Sequence, residues 1–196
     1  MKKALSTLAF AVASLIAVST AQAQTADNQW RAVGTGSLED TPNDSPGYTI
    51  ASFELSGNML IIDMPFQDLQ GATTAAHIHC CVSTAFSGAT GVAVPFADFQ
   101  TGVKSGTFTA SLDLSMDSTF DSAFLSSNGG SADSARMALL DGIKANEAYV
   151  NIHTDEHTGG EIRGWLVAAP IPEPDTWAML GVGLAGLGFM SRRRVS

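Results

Sequence analysis

The sequence predicts an all-β protein, an antiparallel β-sandwich of short strands with one or two short helical insertions. An N-terminal signal peptide and a C-terminal apolar helix are expected to flank it. Three observations carry this expectation. Between Gln24 and Pro170 the apolar residues mostly recur with period two, the spacing of a half-buried strand. Gly, Pro, Asn and Asp break these runs at short intervals, as turns between strands require. The two long uncharged apolar runs lie at the ends of the chain, outside the alternating region.

At the N-terminus, "MKKALSTLAFAVASLIAVSTAQAQ" places Lys2 and Lys3 before an apolar stretch from Leu5 to Val18. Ala21-Gln22-Ala23 then gives the small-residue pattern at which a signal peptidase cuts. Residues 1–23 are therefore read as a secretory signal peptide, with cleavage between Ala23 and Gln24.

Residues 24–170 form the expected domain, long enough for one core. Of 19 acidic residues only Glu173 and Asp175 fall outside it, whereas Lys2, Lys3 and Arg192 to Arg194 are five of the 10 basic ones. The domain thus carries 17 acidic against 5 basic groups. That balance repels nucleic acid and anionic lipid, suits a soluble exported domain, and favours cations or basic partners.

Within the domain, "EDTPNDSPG" reads as a loop by its Pro, Asn, Asp and Gly content. "GYTIASFELSGNMLIIDMPF" reads as two alternating strands around Gly57-Asn58, a two-residue hairpin signal. "AAHIHCC" continues as a strand whose period two sets His77, His79 and Cys81 on one face and Ala76, Ile78 and Cys80 on the other. "SGTFTASLDL" puts Phe108, Ala110, Leu112 and Leu114 on one face. A short helix follows Asp117 as its acidic cap and stops at Gly129; a second, in "SADSARMALLDGIK", directs Met137, Leu140 and Ile143 to one side. "AYVNIHT" and "EIRGWLV" are the last strands, joined through Gly159-Gly160.

Beyond the domain, Trp177 to Met190 is an uncharged apolar run followed by Arg192, Arg193 and Arg194. As a helix it would reach about 21 Å, short of a ~30 Å hydrocarbon core. The arginines would stay cytoplasmic and leave the domain outside, the side to which the signal peptide sends it. Pro172-Glu173-Pro174, the glycine-rich apolar run and the arginine cluster together resemble the PEP-CTERM sorting signal of Gram-negative bacteria. The resemblance, over residues 171–196, implies recognition by an exosortase-type membrane protease and cleavage near Pro174. It further implies a transient anchor in the inner membrane and release to the cell surface or extracellular matrix, where exopolysaccharide and surface proteins are the partner classes on hand.

The domain carries a second resemblance. The loop Pro42 to Gly47, "AAHIH", and "AYVNIHTDEHTGGEIRG" are similar to the CHRD domain, the module named for chordin, over about Thr35 to Val167. Many members follow "HIH" with Gly-Pro, where this chain has Cys80-Cys81. The resemblance implies the domain's fold and little about its chemistry.

The four histidines fall in two clusters, His77 with His79 and His153 with His157. His-X-His on one strand face sets two imidazoles about 7 Å apart at Cα, a spacing able to chelate one ion. With β-neighbour His153 they would form a three-nitrogen site, completed by Cys81 or a carboxylate and suited to Cu or Zn. The competing reading makes the histidines polar pegs, hydrogen-bonded to carbonyls and to Glu161 or Asn151. Cys80 and Cys81, in an oxidising compartment, are open to a vicinal disulfide, an intermolecular bridge or free thiols. No Gly-X-Ser-X-Gly elbow or comparable motif marks a catalytic residue, so no enzyme is expected. The function expected is that of a non-enzymatic binding or structural component of the cell surface. The alternative is a periplasmic or surface metal-binding protein using the His-X-His strand.

Overall fold

The computed structural model describes residues 25–170. The signal peptide with its Ala23/Gln24 junction and the sorting segment with Pro172, Glu173, Pro174 and the three arginines lie outside the described residues.

Nine strands build the domain: β1 (Thr25–Thr35), β2 (Tyr48–Ser56), β3 (Met59–Gln67), β4 (Thr73–His79), β5 (Val92–Pro95), β6 (Gly106–Asp113), β7 (Tyr149–Thr154), β8 (Ile162–Trp165) and β9 (Val167–Pro170). Two helices, α1 (Ser122–Ser127) and α2 (Ala132–Lys144), sit between β6 and β7. The all-β, antiparallel expectation with short helical insertions holds. The strands join into one sheet of order β5-β4-β7-β8-β1-β2-β3-β6, with β9 also paired to β1, and the sheet curls into a half-barrel around the core.

The hairpin forms where the sequence placed it. Gly57, at φ 62°, takes the first central position, and the register runs from Ser56↔Met59 to Tyr48↔Gln67. Alternation along β2 and β3 sends Phe53, Leu60, Ile62, Met64 and Phe66 inward. On β4 the inward set is Ala76 and Ile78, continued by Cys80 just beyond the strand, which is the apolar face expected.

Both helices depart in detail from the sequence reading. The cap of α1 is Asp121, whose carboxylate accepts from the N–H groups of Ala123 and Phe124, while Asp117 begins a separate 3-10 turn. Asn128 and Gly129 end the helix. On α2 the buried residues are Ala132, Ala135, Leu139, Gly142 and Ile143; Met137 is exposed and Leu140 only half-buried. Of the three residues expected to face inward Ile143 is buried; the other buried positions are Ala132, Ala135, Leu139 and Gly142, among which the small side chains let the helix lie close to the core.

β7 and β8 are buried on both faces, unlike β2 and β3. The loops 36–47, 82–91 and 155–161 cover their outer face, and the polar residues of the domain collect beneath them. Glu161 fastens this covering. It is 0 % exposed and accepts from Ser45 Oγ (2.5 Å), Gln70 N (2.5 Å), Gly71 N (3.0 Å) and Thr154 Oγ1 (2.7 Å). Burial pushes its pKa up, but these four donors outweigh that and hold the carboxyl below its ordinary range.

Candidate metal centre

Antiparallel pairing of β4 with β7 sets Ala75 opposite His153, His77 opposite Asn151, and His79 opposite Tyr149. Directly opposed residues share a face, so His77, His79 and His153 stand on one patch, with His153 diagonal to His77. Their ring centroids lie 5.0 Å (His77–His153), 5.6 Å (His77–His79) and 6.1 Å (His79–His153) apart. One ligand nitrogen from each ring lies within 4.8 Å of the others.

Hydrogen bonding fixes which nitrogens are free. Nδ1 of His79 donates to the Thr90 carbonyl at 2.9 Å, and Nδ1 of His153 to the Thr158 carbonyl at 2.9 Å. Their Nε2 atoms, with Nδ1 of His77, are buried and have no hydrogen-bond partner. Carbonyls behind the rings with lone pairs in front is the arrangement that orients imidazoles for a metal. A tetrahedral Zn²⁺ with bonds of 2.0–2.1 Å would draw the three nitrogens to about 3.4 Å from one another.

His77 and His79 favour the neutral form that a ligand needs. Burial, then the neighbouring His153 and His79, push the pKa of His77 down to about 4 against the opposing pull of Asp121. Burial lowers that of His79 as well, with the Thr90 carbonyl working the other way. Tyr149 stacks on His79 (4.8 Å, 6°), and the Arg163 guanidinium lies over the Tyr149 ring at 4.1 Å. Arg163 also pairs with Glu39 at 3.4 Å and donates to the Gly88 carbonyl at 2.8 Å.

Two expected participants stand elsewhere. Cys81 is no ligand here: β4 ends at His79, and Cys81 is disulfide-bonded to Cys80, so it offers no thiolate. The pairing is vicinal, one of the alternatives the sequence left open. His157 binds Gln70 Oε1 through Nε2 at 2.8 Å and stays out of the cluster. The peg reading is right about carbonyl partners, but Glu161 and Asn151 serve other groups: Asn151 Nδ2 donates to Glu39 Oε1 at 2.6 Å.

Compared with protein-family models, residues 30–166 match the CHRD domain. The chain belongs to the CHRD family. Residues 170–194 match the PEP-CTERM protein-sorting motif. No curated protein and no solved structure matches the chain. The sorting motif implies export, recognition by an exosortase and a transient membrane anchor at the C-terminus before the surface is reached. Among the described residues no helix is long and apolar enough to cross a membrane.

Seen in the fold, the motifs that carried the CHRD resemblance are the parts of this patch. "AAHIH" supplies two imidazoles, "NIHT" supplies the third together with Asn151 and Thr154, and "GEIRG" supplies Glu161 and Arg163. Pro42 to Gly47 is the loop that Glu161 ties down through Ser45. Sequence reasoning missed the Glu39–Arg163 pair. The one signal for it was an Arg in an otherwise apolar strand, which requires a buried partner.

Proposed function

We propose that this exported CHRD-domain protein is a non-enzymatic surface component that binds one transition metal ion, Zn²⁺ or Cu²⁺, through His77, His79 and His153. The observation that carries the reading is the convergence of three imidazoles, one ligand nitrogen of each within 4.8 Å of the others, on a patch where every ring has a buried nitrogen without a hydrogen-bond partner. A peg needs a hydrogen bond for each buried nitrogen, because an unpaired polar atom costs about 1–3 kcal/mol. One cation satisfies all three lone pairs together. Nitrogen donors favour zinc or copper over calcium or magnesium, which take oxygen ligands. Three protein ligands leave a fourth position for water or another small donor.

Isothermal titration of the mature protein without a histidine tag tests the reading. One equivalent of Zn²⁺ or Cu²⁺ should bind at micromolar affinity or better and raise the melting temperature. His77→Ala and His153→Ala should each abolish the heat and the shift, whereas His157→Ala should keep both. Absence of binding by the wild type, with both strand variants merely less stable, would return the histidines to a structural role.

A further inference from the structure

The disulfide contributes no ligand, yet it stands where the site ends and its cover begins. Cys80 and Cys81 follow His79 directly, and the loop 82–91 leaves from them across the outer face of the sheet. That loop carries the Thr90 carbonyl that orients His79 and the Gly88 carbonyl that holds Arg163. On the inner side the sulfurs rest on α2. A Cβ added at Gly142 would overlap both Sγ atoms, so the helix lies as close to them as a glycine permits. Cys80 is buried in the core, while Cys81 is half-buried with Sγ 3.7 Å from the Ala138 carbonyl.

A covalent bond holds two sulfurs closer than van der Waals contact, so two thiols need more room than the disulfide they replace. The α2 side has none to give. Separation of the sulfurs away from Gly142 falls on the backbone of Cys80 and Cys81, which is the root of the loop.

We propose that the Cys80–Cys81 pair is a redox control on the metal centre: the disulfide holds the loop that orients His79, and its reduction releases that loop and weakens metal binding. The inference rests on the reading of the histidines as metal ligands. The reductant is a dithiol. Its thiolate attacks the half-buried Cys81 sulfur and displaces Cys80 as a thiolate that takes up a proton. The second thiol of the reductant then resolves the mixed disulfide, so that two electrons and two protons reach the protein and the reductant leaves as its own disulfide. Ala138 stands ready to accept the S–H of the reduced Cys81.

The test uses Zn²⁺ and three samples of the mature untagged protein. These are the oxidised wild type, the wild type reduced with a dithiol and desalted under argon, and Cys80→Ser/Cys81→Ser, which removes the bond and brings no thiolate of its own. Loss of an orienting group behind a ligand costs about 10- to 100-fold in metal affinity. The double variant and the reduced protein are therefore expected to bind zinc at least about tenfold more weakly than the oxidised protein. Amide exchange over residues 82–91 should be faster in both, while the β2–β3 hairpin is unchanged. Equal zinc affinity in the oxidised protein and the double variant would overturn the proposal. If the oxidised protein binds no zinc, the metal reading fails and exchange alone decides the rest. Unchanged protection of 82–91 after reduction would then overturn the control, and faster exchange would leave a redox-released loop without a metal.

Discussion

Glu39 and Glu161 are both buried carboxylates on one side of the sheet, and their surroundings drive them in opposite directions. Glu161 has four hydrogen-bond donors and is held ionised. Glu39 has the Arg163 guanidinium and the Asn151 amide, yet burial outweighs both and raises its pKa from 4.5 to about 7. Between those values the folded protein keeps a proton that the unfolded chain has released. Stability from this group is therefore present below pH 4.5 and declines as pH rises to about 7. Urea unfolding of wild type against Glu39→Gln should show the difference moving against the wild type across that window and level above it. A difference independent of pH would mean that Glu39 is ionised throughout. Of this chemistry the sequence displayed the histidines, because period two alone puts His77 and His79 on one face. It could not display Cys81's position. Alternation holds only while the backbone is extended, and β4 ends two residues before that cysteine.

Elements show the same division. The β2–β3 hairpin was legible because each strand has one wet face, so its pattern of exposure repeats in its residues. β7 and β8 carry no such pattern, since loops bury their outer face together with its polar residues Asn151 and Arg163. The face of α2 was misread for a packing reason. Its contact with the sheet is a row of small residues around Leu139, with Gly142 beneath the disulfide. Leu139, fully buried, should cost about 3 kcal/mol on replacement by Ala, within the range for core leucines. Met137→Ala, at 56 % exposure, should change stability by less than about 0.5 kcal/mol. Chemical denaturation of the two variants separates this face from the one that hydrophobicity suggests; comparable losses would restore the latter.

Across the whole molecule the pairing of β9 with β1 decides how the domain is presented. Thr25 pairs with Pro170, so the chain enters and leaves the sheet at one end. Thr35, at the other end of β1, stands level with Arg163, Asn151 and His77 across the strands. Ten residues of strand separate the two levels, about 33 Å at 3.3 Å per residue. The sorting motif begins where β9 ends, at residue 170, so cleavage near Pro174 removes nothing from the described sheet. Protein released from native cells should have an intact mass that lacks the three terminal arginines and should melt where the uncut domain melts. Recovery of those arginines on the released form would contradict sorting. Short alternating strands serve a sandwich and a single curled sheet equally. Only long-range pairing such as β1 with β8 distinguishes them, and single-strand patterns carry no information about it.

The centre itself is tested most directly by X-ray absorption at the zinc edge, on the mature, untagged, oxidised protein loaded with one equivalent of Zn²⁺. The geometry of His77, His79 and His153 predicts three imidazole nitrogens at about 2.0–2.1 Å, with the outer-shell scattering of three rings and no sulfur. A first shell of oxygen alone, fewer than three imidazoles, or sulfur at about 2.3 Å would contradict it.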